Sequence, residues 1–320
     1  MKVGLIGASG YWAGNLLRVL DTNKDIDKIL LCDLDLKKLE GRNKEYKKTI
    51  IETDYSKVLK EVEAVLIATP PDSHYLLAVQ ALREGKHVFV EKPMTTGYVQ
   101  ARVLNQLAKQ IGKVLMVGHT FVYINAIQYI KSLIDKGELG EIYNISFIFK
   151  NLGKYQKAGV GLDLLPHSVS LILYLTGKKI KFSKYFSESC VKEGIDDIGT
   201  LILKWDKGMA DISISWLNPC KERRMTITGS KKMVIFDDIS TMEKIKVYDK
   251  GVYSEKTCSS WGETAWGYRH GDIVIPHIAV GEPLKIEIED FISSIKTGKE
   301  PISNGKLGEE VVRIMEEGMK

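Results

Sequence analysis

The chain has 320 residues, 44% of them hydrophobic and 27% charged. That balance excludes disordered and fibrous classes, and the length suits two globular domains. Lysine and arginine exceed aspartate and glutamate by 46 − 41, a net charge of +5, which is too small and too scattered for a nucleic-acid-binding stripe.

The first third alternates short apolar runs with amphipathic stretches. Strands are predicted at 3–6, 28–32, 49–52, 64–68, 87–90 and 114–117, and the clearest helices between them at 73–84 and 98–111. Six strands separated by helices of this size make a doubly wound parallel sheet. Ser73 is placed to cap the first of these helices, and Gly85 and Gly112 follow the C-termini. After Gly118 the rhythm changes. A helix at 125–136 leads through Gly137 and Gly140 into a strand at 142–150. Alternating segments follow at 200–205, 209–216, 224–229, 233–237 and 244–248, as in a large antiparallel open sheet. Helices are predicted at 166–175, 286–296 and 307–319. The expected fold is α/β, with a nucleotide-binding Rossmann domain at 1–120 and an α+β substrate-binding and oligomerisation domain at 121–320, separated by a cleft.

The four cysteines (Cys32, Cys190, Cys220, Cys258) form no C-x-x-C pair, which argues against a disulfide scaffold or structural zinc and for a reducing cytosol. Met1-Lys2 runs straight into an apolar strand, and no apolar run approaches about 18 residues. The expectation is a cytoplasmic protein with no membrane or nucleic-acid partner and no metal site.

The first strand ends in Gly7-Ala8-Ser9-Gly10-Tyr11-Trp12-Ala13-Gly14 before a helical run. Such a turn lets the backbone approach a pyrophosphate at a helix N-terminus. A merely tight turn is the alternative for this loop alone. Asp33, at the end of the second strand, supplies a carboxylate for an adenosine ribose and would repel a 2′-phosphate. Leu34 follows with no arginine behind it, so NAD is favoured over NADP, a preference that Lys37 and Lys38 weaken. The alternative for Asp33 is a helix cap. The fourth strand ends in Ala68-Thr69-Pro70-Pro71-Asp72-Ser73-His74. Thr69 and Pro70 suit a loop bordering the cofactor, and His74 falls on the first turn of the next helix. Strand five ends in Glu91-Lys92-Pro93, where Lys92 could steady an alkoxide or simply bond Glu91 or solvent.

These motifs, with Gly118-His119, Gly137-Glu138-Leu139-Gly140-Glu141-Ile142 and Asp163-x-x-x-His167, resemble the Gfo/Idh/MocA family over essentially the whole chain. Gly10-Tyr11-Trp12, Gly118-His119-Thr120-Phe121-Val122-Tyr123 and Gly271-Asp272-Ile273-Val274-Ile275-Pro276 resemble a subgroup met in nucleotide-sugar biosynthesis. The resemblance implies that Lys92 contacts the reacting hydroxyl and the nicotinamide ribose, that His167 is the general base, and that Asp163 contacts substrate or orients that base. It implies a cofactor set of Gly7, Ser9, Gly10, Tyr11, Trp12, Asp33, Thr69, Pro70, His74, Glu91 and Lys92. The residues agree: Asp163 and His167 share a helical face, and an imidazole has the pKa to take a hydroxyl proton near neutrality. With Pro166 in the first turn, Asp163 could instead be an N-cap and His167 a half-buried structural residue.

The substrate is expected between the cofactor and the antiparallel sheet, with Tyr123, Asn125, Lys154, Tyr155, Asp163 and His167 as contacts. The Gly- and Lys-rich loop from Asn151 to Asp163 could clasp a diphosphate through Lys154 and Lys157, or be merely solvated. Arg223, Arg224, Lys231 and Lys232 could meet phosphates or remain wet. Trp261, Trp266 and Tyr268 read as packing rather than base-stacking aromatics. The subgroup resemblance implies an NAD-dependent dehydrogenase oxidising C3 of a UDP-N-acetylhexosamine. Alternatives are a free-sugar or inositol dehydrogenase and a non-catalytic NAD-sensing regulator. Alternating apolar residues over 200–216 lead to the expectation of a homodimer or homotetramer.

Overall fold

The computed structural model describes residues 1–153, 155–256 and 264–320. Lys154, Cys258 and Trp261 lie outside the described residues. Contacts group the chain into two compact units, Met1–Tyr123 with Gly281–Glu316, and Ile124–Val280 with Glu317–Lys320.

The first unit is built on six parallel strands: β1 (Lys2–Ile6), β2 (Lys28–Cys32), β3 (Thr49–Ile51), β4 (Ala64–Ile67), β5 (His87–Glu91) and β6 (Leu115–Gly118). Each lies within one residue of its expected bounds. Their order is β3-β2-β1-β4-β5-β6, which reverses between β1 and β4 and opens a crevice at their carboxyl ends. Strand β4 is Ala-Val-Leu-Ile with all four residues buried, as a central strand covered on both faces requires. The helices are α1 (Tyr11–Thr22), α2 (Leu36–Glu45), α3 (Tyr55–Glu61), α4 (Pro71–Arg83) and α5 (Tyr98–Gln110). Val65, Ile67, Val88 and Val90 pack with Ala78, Leu82, Ala101 and Leu104 in one core.

Helix α4 starts two residues before the expected position. Pro70 is its N-cap and Pro71 its first residue, so the fixed proline φ starts the turn rather than a serine cap. Ser73 instead donates its hydroxyl to Thr69 Oγ1 at 2.6 Å and to the Pro70 carbonyl at 2.8 Å. Late in the chain, α8 (Pro283–Thr297) and α9 (Gly305–Met319) follow. In the first unit, the α8 stripe of Leu284, Ile288, Phe291 and Ile292 is buried, with Phe291 edge-on to Phe89 at 5.8 Å.

The second unit contains α6 (Asn125–Asp135), β7 (Ile142–Leu152), α7 (Gly159–Thr176), β8 (Phe182–Glu188), β9 (Ile198–Trp205), β10 (Gly208–Ser215), β11 (Leu217–Gly229), β12 (Met233–Asp237), β13 (Ile245–Lys256) and β14 (Thr264–Val274). The strands form one sheet in the order β14-β13-β12-β11-β7-β10-β9-β8. Every neighbouring pair is antiparallel except β7 with β10, which run parallel with Ile145 beside Ala210. Helix α7 covers one face. Its Leu165, Val169 and Ile172 are buried, as are Ile145 and Phe147 of β7, Leu201 and Leu203 of β9, and Ile212 of β10.

Helix α7 begins seven residues before the expected start, so Pro166 and Asp163 lie inside it and Asp163 is not its cap. The helix can start at Gly159 because Asp196 satisfies its first turn. The Asp196 carbonyl accepts from Val160 N at 2.8 Å and its carboxylate from Gly161 N at 2.9 Å. Interior Pro166 lacks the N–H that would reach back four residues, and the helix tolerates this within a buried run. At 18 residues α7 is long and apolar enough to cross a membrane, a length the sequence reading did not anticipate, yet 67% of it is buried, as in a core helix. Tyr185 also donates to the Asp196 carboxylate at 2.5 Å. Asp196→Ala should therefore cost about 1–3 kcal/mol, a lost cap plus unsatisfied donors. The urea unfolding midpoint measures this, and an unchanged midpoint would remove Asp196 from the account of this helix.

Candidate active site

The crevice edge of the first unit begins at Gly7, whose φ is +79°. A Cβ there would lie 2.8 Å from the Ala68 carbonyl carbon and oxygen, so no side chain fits where β1 and β4 diverge. The Gly7 and Ala8 amides donate to the Cys32 carbonyl at 2.9 and 3.2 Å. Gly10 is the N-cap of α1 and provides no capping side chain, which leaves a helix N-terminus for an anion. Tyr11 and Trp12 beside it are exposed.

Asp33 accepts from Ser9 N at 2.8 Å and Asp35 N at 3.2 Å. Burial pushes its pKa up, but the hydrogen bonds from Ser9, Asp35 and Leu34 outweigh it and hold the carboxyl below its ordinary range. It is an anion facing the loop, and the capping role falls to Asp35, which accepts from Lys38 N at 3.1 Å. The Lys38 ammonium is paired with Asp35 as well. A glycine cradle that a Cβ would fill, an uncapped helix start and a strand-end carboxylate together fit a dinucleotide.

At the end of β5, Glu91 is buried and Lys92 half-buried. The Trp12 indole donates to Glu91 Oε1 at 2.5 Å, and the Lys92 backbone amide donates to Oε2 at 3.2 Å. A Cβ on residue 118 would sit 2.8–2.9 Å from this carboxylate, so Gly118 makes room for it. Burial pushes the Glu91 pKa up to about 7, against the Trp12 hydrogen bond and the Lys92 charge. His74 is buried and bridges the Thr69 carbonyl at 2.8 Å and the Pro93 carbonyl at 2.9 Å. Its ring sits between the loops after β4 and β5, and in the neutral form its one N–H donates to one of these two carbonyls.

Behind Lys92 lie residues to which the sequence reading gave no role. His119 is buried, and neither ring nitrogen has a hydrogen-bond partner among the described residues. Burial brings its pKa down to about 3, with the Lys92 charge adding to the effect. Glu287 of α8 is also buried and accepts from Thr120 Oγ1 at 2.7 Å. Burial, then the Glu91 charge, raise its pKa well above the ordinary value. One signal for Glu287 was legible: it sits on the apolar stripe of α8, between Leu284 and Ile288. Tyr123, expected at the substrate, is 1% exposed, with its hydroxyl donating to Asp290 Oδ2 at 2.8 Å and meeting Ser303 Oγ at 3.2 Å.

In the second unit, Asp163 and His167 are both half-buried on α7 and share one face. The His167 ring lies 6.2 Å from that of Phe149, and the Arg223 guanidinium lies 4.3 Å from the centroid of the same Phe149 ring. Arg223 is paired with Asp238 at 2.7 Å and largely buried, so it is held within the unit. Arg224 pairs with Asp237 at 2.9 Å, Lys232 with Glu138 at 3.2 Å, and Lys231 donates to the Gly137 carbonyl at 3.2 Å. Tyr155 donates to Asp197 Oδ2 at 3.2 Å and its ring lies 5.5 Å from Trp216. Asn125 donates to the Ala279 carbonyl at 2.8 Å. Lys157 is exposed, and Trp266 and Tyr268 stand 66% and 67% exposed on β14.

A family model described as oxidoreductase family, NAD-binding Rossmann fold, matches residues 1–119, and the GFO/IDH/MocA C-terminal domain matches residues 127–235. The chain belongs to the GFO/IDH/MocA family. Its first unit is thus a family NAD-binding domain, and the dinucleotide fit of the Gly7 cradle agrees with that membership. Among curated relatives, the uncharacterized oxidoreductase YdgJ of Escherichia coli is 33% identical over 180 residues, 53% of this chain and 52% of that protein. The inositol 2-dehydrogenase of Salmonella paratyphi B is 22% identical, over 94% of this chain and 88% of its own length. For four curated relatives, including YdgJ, the chain spans only 38–61% of their length. In fold the chain is similar to the UDP-N-acetylglucosamine 3-dehydrogenase of Acidithiobacillus ferrooxidans, with a TM-score of 0.82, 21% identity, and coverage of 99% of this chain and 96% of that one.

The buried groups around Lys92 give a pH signature. Glu91 moves from 4.5 up to about 7, so its folded environment favours the protonated form. That contribution is complete below about pH 4.5 and is lost as pH rises through 7. His119, moved from 6.5 down to about 3, has the opposite sign and is complete above about pH 6.5. Glu287, raised well above its ordinary value, has the same sign as Glu91, so between pH 6.5 and 8.5 the two buried carboxyls dominate and the melting temperature of the cofactor-free protein should fall. Glu91→Gln keeps an acceptor for Trp12 and should make this fall shallower, leaving the part due to Glu287. Equal slopes in the two proteins would remove Glu91 as a source of it.

Proposed function

We propose that the protein is an NAD-dependent dehydrogenase oxidising a secondary hydroxyl of a sugar, with C3 of a UDP-N-acetylhexosamine as the preferred position. The observation that carries this reading is Lys92, half-buried at the end of β5 on the same unit as the dinucleotide cradle. His167 and Asp163, half-exposed on one face of α7, complete the set of groups that the chemistry needs. When bound, NAD supplies the hydride acceptor. The Lys92 ammonium donates a hydrogen bond to the substrate oxygen and lowers the cost of negative charge there. A ring nitrogen of His167 takes the hydroxyl proton, and Asp163 orients that ring or holds a neighbouring hydroxyl. Asp33, already anionic and set at the end of β2, accepts from ribose hydroxyls and disfavours a 2′-phosphate.

The fold likeness to a UDP-N-acetylglucosamine 3-dehydrogenase supports a nucleotide sugar, with Lys157, which is exposed, as a cation for its diphosphate. A second reading, a free polyol such as inositol, is favoured by the inositol 2-dehydrogenase match along 94% of the chain. Half-exposed apolar residues on the open strands, Phe182 and Phe186 of β8, Ile198 of β9 and Met209 of β10, support association with a second copy of the chain.

Absorbance at 340 nm with NAD should rise with UDP-N-acetylglucosamine, and more slowly with free sugars or myo-inositol. Faster turnover of inositol would select the second reading, and NAD binding without turnover of any of them would leave only a cofactor-binding protein. Lys92→Ala and His167→Ala should each lower kcat at least ~10²-fold, the size of general acid–base assistance. NAD affinity should stay nearly unchanged in both, and full turnover by either variant would reject its assigned role.

A further inference from the structure

Helix α2 carries Arg42, half-buried against the glycine loop. Its guanidinium donates to the Ala8 carbonyl, to the Gly10 carbonyl at 2.6 Å and to the Ser9 carbonyl at 3.3 Å. Three successive loop carbonyls thus face one side chain. The N–H of the Ala8–Ser9 peptide is meanwhile accepted by Asp33 Oδ2 at 2.8 Å. In a trans peptide the N–H and C=O point to opposite sides. Arg42 on one side and Asp33 on the other therefore fix the rotation of that peptide plane. The Gly10 amide closes the turn onto the Gly7 carbonyl at 3.0 Å. At Gly14 a Cβ would come 3.4 Å from Arg42 Nη2, so the first turn of α1 leaves the guanidinium its space.

We propose that Arg42 is a positioning residue for dinucleotide binding, setting the loop from Gly7 to Gly10 in its pyrophosphate-accepting form before the cofactor arrives. Carbonyl oxygens turned toward a diphosphate would repel it, and Arg42 keeps three of them turned toward α2. The start of α1 is then left to meet the phosphates. A guanidinium suits this task because its planar fork presents several donors at fixed angles, whereas a lysine ammonium satisfies fewer such acceptors at once. Three of the five guanidinium N–H donors are thus engaged by the loop. The proposal rests on the NAD reading above.

The test is calorimetric titration of the full chain with NAD, without any sugar. Arg42→Met should raise the NAD Kd at least ~10-fold, about 1.4 kcal/mol, and Arg42→Lys should restore part of the loss. Hydrogen exchange of the amides of residues 8–12 should be faster in cofactor-free Arg42→Met than in the parent. An NAD Kd within twofold of the parent in folded Arg42→Met overturns the proposal, as does a loss confined to NADP. Should Arg42→Met fail to fold, Arg42→Lys decides: an NAD Kd within twofold of the parent overturns it. A parent chain that binds no NAD would defeat the functional reading itself, a result distinct from any of these.

Discussion

The hydrogen bond from the Trp12 indole to the buried Glu91 carboxylate ties the crevice edge of the first unit together. It joins the first turn of α1 to the last residue of β5, and Gly118 at the end of β6 leaves the carboxylate its space. Lys92 follows Glu91 directly, so the placement of its backbone depends on that anchor. Burial acts on the surrounding groups without regard to sign: Glu91 and Glu287 move up in pKa, and His119 and His74 move down. Desolvation penalises whichever form is charged, so the surroundings of Lys92 are driven toward neutrality. In the proposed reaction, that setting would strengthen the pull of the Lys92 charge on a developing alkoxide.

The nucleotide half of the fold was legible because its strands are covered on both faces and appear as unbroken apolar runs, as in Ala64–Ile67. The loop, the strand-end carboxylate and Glu91-Lys92-Pro93 also lie next to those runs in sequence. The start of α7 was not legible. Gly159 and Gly161 read as loop, and the carboxylate that satisfies the helix comes from Asp196, 35 residues beyond Gly161. Strand β8 was missed because Phe-Ser-Lys-Tyr-Phe-Ser-Glu lies on a mostly exposed sheet edge, where burial imposes little alternation. Strand β14 is the opposite edge of the same sheet.

At the candidate site, residue types were easier to read than their partners. Asp33 was placed correctly at a strand end, but its bond to Ser9 depends on a turn whose shape no spacing rule fixes. Tyr123 and His74 looked like groups waiting for a ligand, yet each hydrogen-bonds across its own unit. Arg42 attracted no notice because an arginine in the last turn of a short charged helix normally faces water. Its role follows only from the loop carbonyls brought beneath it.

The parallel pairing of β7 with β10 has a consequence for how the chain emerges during synthesis. Strand β7 ends at Leu152, and its two neighbours, β10 and β11, begin at Gly208 and Leu217. Both edges of the strand thus stay open while more than fifty further residues leave the ribosome, and long loops must close before either edge is covered. For that interval Ile145, Phe147 and Phe149 sit on an unpaired template, the condition under which nascent chains stick to one another.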